Sequence, residues 1–235
     1  MAEAKPVKLE NILTRLKERS NPKAVAGMGR FGINPRSALG VSIPELRRIA
    51  REVGLDHGLA QKLWTCGIHE ARILASMVDD PEKVTERQLE AWVKDFDSWD
   101  VCDQTCSNLF DKTKWAFQKA KMWGQRREEF VKRAGFVLMA CLAVHDKISK
   151  EETFHELLRF IKRGATDERN FVKKAVNWAL RQIGKRNAKL NKKAIQVAQE
   201  IQAIDSKSAK WIASDALREL KSESVQKRLQ RKAKA

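Results

Sequence analysis

Apolar residues along this chain return every three to four positions and almost never alternate, so helices are predicted nearly throughout. Leu9, Ile12, Leu13 and Leu16 repeat at i, i+3, i+4 and i+7, the stripe of an amphipathic first helix. Ser20-Asn21-Pro22 ends it and starts a second, which runs into a loop from Gly27 to Gly40 rich in Gly, Asn and Pro. Ser42-Ile43-Pro44-Glu45 has the form of a capping box with proline in the first turn, opening a helix that buries Leu46, Ile49 and Val53. Further helices are predicted from about His57 to Cys66 and from His69 to Val78. After the break at Asp79-Asp80-Pro81, Thr85-Glu86-Arg87-Gln88 caps a helix carrying Leu89, Trp92, Val93 and Phe96. The next, from about Ser98 to Phe110, buries Cys102, Thr105, Cys106 and Leu109, and a shorter one follows around Trp115 and Phe117.

Arg126 to Val144 is apolar almost all round and is expected to be central. Arg133 is embedded in that surface, where a charge is costly unless it is paired or presented to a ligand; spacing alone leaves both readings open. Ser149-Lys150-Glu151-Glu152 reads as another capping box, before Phe154, Leu157, Leu158 and Ile161. Gly164 ends that helix, and Gly184 closes the next, whose stripe is Val172, Ala175, Val176, Ala179, Leu180 and Ile183. Two more helices start near Asn191 and Ser208, and residues 223–235 are expected to be a frayed basic tail.

A weak internal repeat runs beneath this pattern. Phe130-Val131-Lys132-Arg133-Ala134 matches Phe171-Val172-Lys173-Lys174-Ala175, 41 residues on, and Val172–Ile183 aligns with Ala209–Leu220, 37 residues on. A two-helix unit of about 40 residues is the HEAT/armadillo period. The expected fold is therefore all-α: a HEAT/ARM-like helical-repeat solenoid, one domain over 1–222, with a concave basic face.

Charge points to the partner. The chain has 47 Lys+Arg against 30 Asp+Glu, a net charge of +17, and polyanions are its natural ligands. Between Arg159 and Lys193 the excess is one-sided, with Lys173, Lys174, Arg181 and Lys185 among the cations and only Asp167 and Glu168 opposing them. Phosphate contact is the favoured reading, over a merely solvated face. The longest apolar run, Gly135–Val144, is too short to span a bilayer, and the amino end lacks a signal peptide's apolar core. A soluble, cytoplasmic monomer is expected. Four cysteines without a CxxC pair and four scattered histidines give no metal-site spacing, so neither metal nor cofactor is expected.

Two tryptophans stand apart from the stripes of their own helices. Trp178 falls on the basic side of its helix, among Lys174, Arg181 and Lys185. Trp99 and Asp103 are spaced i and i+4, hence neighbours on one face, near the amino end of their helix. Rim packing for Trp99 and solvation for Asp103 are the bland alternatives. The chemical one is cleavage of a glycosidic bond: positive charge builds on the sugar, and a fixed carboxylate stabilises it and orients water. Aromatic faces attract cations, and a purine alkylated on a ring nitrogen is a cationic, good leaving group.

The chain resembles the AlkD-like DNA alkylation repair family through Leu39–Arg48, Ser98-Trp99-Asp100-Val101-Cys102-Asp103, Lys132-Arg133-Ala134 and Lys173–Arg181, over roughly residues 5 to 220. That resemblance implies a monofunctional glycosylase that releases N3- or N7-alkylated purines from double-stranded DNA without flipping the base. By the same resemblance Asp103 is the catalytic carboxylate, Trp99 and Trp178 flank the modified nucleotide, and Arg133 and Arg181 hold phosphates. Where well-characterised members carry a tyrosine and a glutamine in the DNA-contacting amino-terminal region, this chain has Phe31 and Ser42. Two other readings remain: a non-catalytic binder of damaged or branched DNA, and a protein-interaction scaffold.

Overall fold

The computed structural model describes residues 8–234, which are helical wherever they are regular. The chain divides into two compact units, Met1–Thr113 and Lys114–Ala235, where the periodicity alone predicts a single domain over 1–222. The first unit holds α1 (Leu9–Glu18), α2 (Pro22–Met28), α3 (Ile43–Val53), α4 (His57–Thr65), α5 (His69–Val78), α6 (Glu86–Lys94) and α7 (Trp99–Asn108). The second holds α8 (Ala116–Trp123), α9 (Glu129–His145), α10 (Glu151–Gly164), α11 (Asn170–Gly184), α12 (Ala188–Gln202), α13 (Lys207–Leu220) and α14 (Glu223–Lys234).

Within the second unit, each helix packs on its neighbour and on the helix two places along: α9 on α11, α11 on α13, α10 on α12. Polar bonds mark the same step. Arg133 to Phe171, Lys162 to Glu200, Asn177 to Asp215, Arg181 to Glu219 and Ser206 to Glu168 all join residues 38 apart. The equivalent Phe130 and Phe171 rings lie 5.5 Å apart, so the residues that match in sequence stack on one another. In the first unit, α3 packs on α5 and α5 on α7, but a recurring set of its polar ties spans 30 to 32 residues. These shorter units explain why the sequence repeat is visible only in the second half.

The apolar stripes are buried as predicted. Val172, Ala175, Val176, Ala179, Leu180 and Ile183 are fully buried, and α9 buries an unbroken run from Arg133 to Ala143. Close approach of α8 to α9 requires glycine: a Cβ on Gly135 would meet the backbone nitrogen of Gly124 at 2.2 Å.

The helix starts are less faithful to their signals. Thr85 caps α6 by accepting from the Gln88 amide, as its sequence predicts. Ser42 occupies the N-cap of α3 without a side-chain bond, because Glu45 is held instead by Arg48 and Arg19. Ser149 likewise does not cap α10; its hydroxyl donates to Asp146 and Lys150 takes the N-cap position. The expectation of a frayed tail is corrected too. Residues 223–234 form α14, because Val225 and Leu229, four apart, are buried on one side of it.

Candidate nucleic-acid interface

In the first unit the candidate residues gather where the Gly27–Gly40 loop meets the amino end of α7. Trp99 is the first residue of that helix and half-buried; its indole N–H donates to the Phe31 carbonyl at 2.9 Å. Phe31 itself is 70% exposed, at the end of a short 3-10 turn closed by Gly32 at φ 72°. Asn34 donates to Asp97 at 2.7 Å, a second tie between loop and helix start. Asp103 lies one turn along from Trp99, half-buried, with Val101, Cys102, Thr105 and Cys106 of the same helix fully buried beneath it. The helix is thereby fixed in rotation, and the acid is left at the margin of the packing. Ser42 is exposed at the start of α3.

Two buried polar groups that spacing alone did not single out hold this arrangement. Glu70, only 1% exposed, accepts from the amides of Leu39 and Gly40 at 2.8 and 2.6 Å. Gly40, at φ 78°, cannot be anything larger, since a Cβ would meet the Asn21 carbonyl oxygen at 2.4 Å. His69, also buried, bonds through Nε2 to Asp100 at 2.8 Å, while its backbone amide donates to Ser37. One histidine thus joins α5, the loop and α7 beside Trp99. The scattered histidines gave no metal spacing, and no local pattern marks a buried His–Asp pair 31 residues apart.

Burial works against the charged form of His69, but the bond and charge of Asp100 outweigh it, so its pKa is raised above the usual imidazole value. A raised folded-state pKa adds stability that is fully present below about 6.5 and is lost as pH rises through the folded value. His69→Gln should therefore lower the melting temperature more at pH 6 than at pH 8.5, measured by thermal unfolding of both proteins at each pH. An equal drop at both pH values would show that the pair is not charged.

In the second unit, Trp178 is half-buried on α11, Lys174 is exposed and Lys173 lies over the Trp211 ring at 5.2 Å. Arg181 and Lys185, one turn apart, both bind Glu219 of α13, and Asp215 lies 3.7 Å from Arg181. Burial would raise the Glu219 pKa, but Lys185 and Arg181 hold it below the usual carboxylate range. Glu219 thus fixes the two cations in place and, while ionised, competes with any incoming phosphate. Glu219→Gln should raise affinity for undamaged duplex about threefold, and Lys174→Ala should lower it by a similar factor, with a salt slope shallower by about 0.9. Titration of labelled duplex at several salt concentrations reads both.

Arg133 is 5% exposed in α9 and donates to the Phe171 carbonyl at 2.6 Å, so it ties α9 to α11. The all-round apolar pattern of α9 already made that one of its two readings. None of the four cysteines is in a disulfide; Cys66 is half-buried and the others are buried. No group of three or more metal-ligating side chains occurs among the described residues, and no helix there is long and apolar enough to cross a membrane.

Helices stacked on their second neighbours, with polar ties at a recurring 38-residue step in the second unit, define a HEAT-like helical-repeat protein carrying a basic helix face and a tryptophan–carboxylate pair. A family model described as DNA alkylation repair enzyme matches residues 12–220, and the chain belongs to that family. A solved structure described as a new family of proteins related to the HEAT-like repeat DNA glycosylases, with affinity for branched DNA structures, superposes with a TM-score of 0.77. It is 20% identical, and the match covers 96% of this chain and 95% of that one. An engineered protein (TM-score 0.43, 14% identity, 92% and 99% covered) and a designed armadillo repeat protein in complex with a (KR)4 peptide (0.35, 14%, 97% and 99%) are too distant to carry an argument. No curated protein matches the chain.

Proposed function

We propose that this protein is a monofunctional DNA glycosylase that hydrolyses the N-glycosidic bond of cationic N3- or N7-alkylpurines in duplex DNA. The observation that carries the reading is Asp103. It is a half-buried carboxylate on a helix immobilised by its own core, one turn from an indole anchored to the Phe31 carbonyl, in a chain of the DNA alkylation repair enzyme family.

The chemistry asks little else of the protein. The bond from C1′ to the base nitrogen breaks, the electron pair leaves with the purine and neutralises its ring, and positive charge develops on the deoxyribose. Asp103 stabilises that charge electrostatically and orients the water that adds to C1′; the proton released goes to solvent. Because the leaving group already carries a positive charge, no general acid is required. Trp99 offers an aromatic face to the cationic nucleotide and Trp178 contacts the DNA backbone. Lys173, Lys174, Arg181 and Lys185 hold phosphates, and Phe31 and Ser42 contribute from the amino-terminal side. No cofactor takes part. The base is released while still stacked, so no deep base pocket is needed.

A second reading has its own support. Phe31 and Ser42 stand where well-characterised relatives carry a tyrosine and a glutamine, and the structurally similar protein is described by its affinity for branched DNA. On this reading the same residues bind junctions and catalyse nothing. Incubation with methylated duplex, followed by chromatography of released bases, separates the two. Release of alkylpurine above the spontaneous rate supports the glycosylase; tight binding to a four-way junction with no release supports the binder.

A further inference from the structure

At the carboxyl ends of α9 and α11, a cavity of about 480 Å³ is bordered by five cations: Lys147, Lys185, Arg186, Arg228 and Lys232. The other lining side chains are uncharged. The last two cations come from α14, the segment expected from sequence to fray, so the cavity exists only because that helix docks.

Each cation has a local partner, and these partners do not balance the charge. Arg186 donates to the Ala143 and Asp146 carbonyls and lies over the Phe154 ring; Lys147 donates to the Val144 carbonyl. Arg228 and Lys232 reach the Lys185 and Arg186 carbonyls at 3.2 and 3.3 Å. Among the described residues two carboxylates answer, Asp146 against Arg186 and Glu219, which Arg181 shares, against Lys185, so five positive charges less two negative leave an excess of at least three. The carboxyl ends of two helices contribute roughly half a negative charge each, about one in all. An excess of about two remains in a concave, partly desolvated space. An ammonium has three donors and a guanidinium five, so capping carbonyls leaves donors for a ligand. The strain is visible at Lys232, whose pKa is lowered first by burial and then by the charges of Arg228, Lys147 and Arg186.

We propose that this cavity binds phosphate groups, sharing only Lys185 with the cations that the proposed function places on DNA phosphates. A phosphate oxyanion matches both the excess charge and the converging donors. Two sources share that chemistry: a phosphodiester of bound DNA, and a small ligand with a free phosphate or diphosphate.

Calorimetric titration of the full chain with inorganic pyrophosphate at low salt tests the site. Saturable binding is expected. Arg228→Gln/Lys232→Gln should weaken it at least tenfold, and so should Lys147→Gln, which leaves the docking of α14 untouched. Lys207→Gln/Lys210→Gln, two exposed lysines on α13, should change it less than twofold. A parallel titration with undamaged duplex tells the sources apart. If DNA fills the site, pyrophosphate competes with duplex, and Arg228→Gln/Lys232→Gln shows a salt slope shallower by about two contacts. If a small ligand fills it, duplex affinity in those variants stays within twofold of wild type. Absence of saturable pyrophosphate binding, or an equal loss in the Lys207/Lys210 variant, overturns the proposal. Base release enters neither readout, so the site stands or falls independently of the glycosylase reading.

Discussion

Asp103→Asn is expected to reduce release of alkylated purines at least about 100-fold while duplex affinity stays within about threefold of wild type. The amide has the shape of the acid, and Val101, Cys102, Thr105 and Cys106 keep α7 seated, so the change removes the carboxylate charge while the helix stays in place. A positively charged sugar loses the electrostatic partner it needs only at the transition state, so the effect falls on turnover and not on binding. Single-turnover base release from methylated duplex, beside a binding titration, measures both quantities. Undiminished release would remove Asp103 from the chemistry; reduced binding in proportion to release would make it a contact and not a catalyst. Trp99→Phe is a useful companion, because it retains an aromatic ring but loses the bond to the Phe31 carbonyl.

The largest loss of stability is expected at a residue with no side chain. Gly135→Ala should cost about 2–3 kcal/mol and lower the melting temperature by roughly 5–10 °C. Alanine is intrinsically the better helix former by about 1 kcal/mol, so propensity predicts the opposite sign. Its methyl group, however, would lie 2.2 Å from the nitrogen and 2.7 Å from the Cα of Gly124, and backbone cannot rotate out of the way. Relief requires α8 and α9 to separate, which loosens Trp123 and Phe136, both fully buried. Thermal unfolding of the two proteins decides the sign. An unchanged or higher melting temperature would mean that α8 shifts at little cost.

The two changes are read by different measurements. Loss of base release with an unchanged melting temperature marks the first; the reverse marks the second.

Helix existence, the buried stripes of α7, α9 and α11 and the repeat in the second half were legible from the chain because each depends on spacing within one helix or between similar neighbours. The same periodicity singled out Trp99, Asp103 and Trp178, residues that their own stripes do not explain. What periodicity could not supply is any bond whose partner lies a whole repeat away. Glu70 on the loop amides, His69 on Asp100 and Glu219 between Arg181 and Lys185 join residues 30 to 38 apart, and neither member of such a pair carries a local mark. The capping boxes at Ser42 and Ser149 failed for the same reason: a partner elsewhere claimed Glu45 and the Ser149 hydroxyl. That Arg133 ties two helices showed only once the Phe171 carbonyl stood beside it. The sequence by itself therefore determined the class of fold and a charge suited to polyanions, which follow from composition and from contacts within a few turns, while the candidate chemistry rests on the family resemblance as well. Tertiary structure decided which charges are engaged and which remain to meet a ligand, because a charge is neutralised by whatever lies next to it in space, and in a stacked helical repeat that neighbour belongs to another repeat.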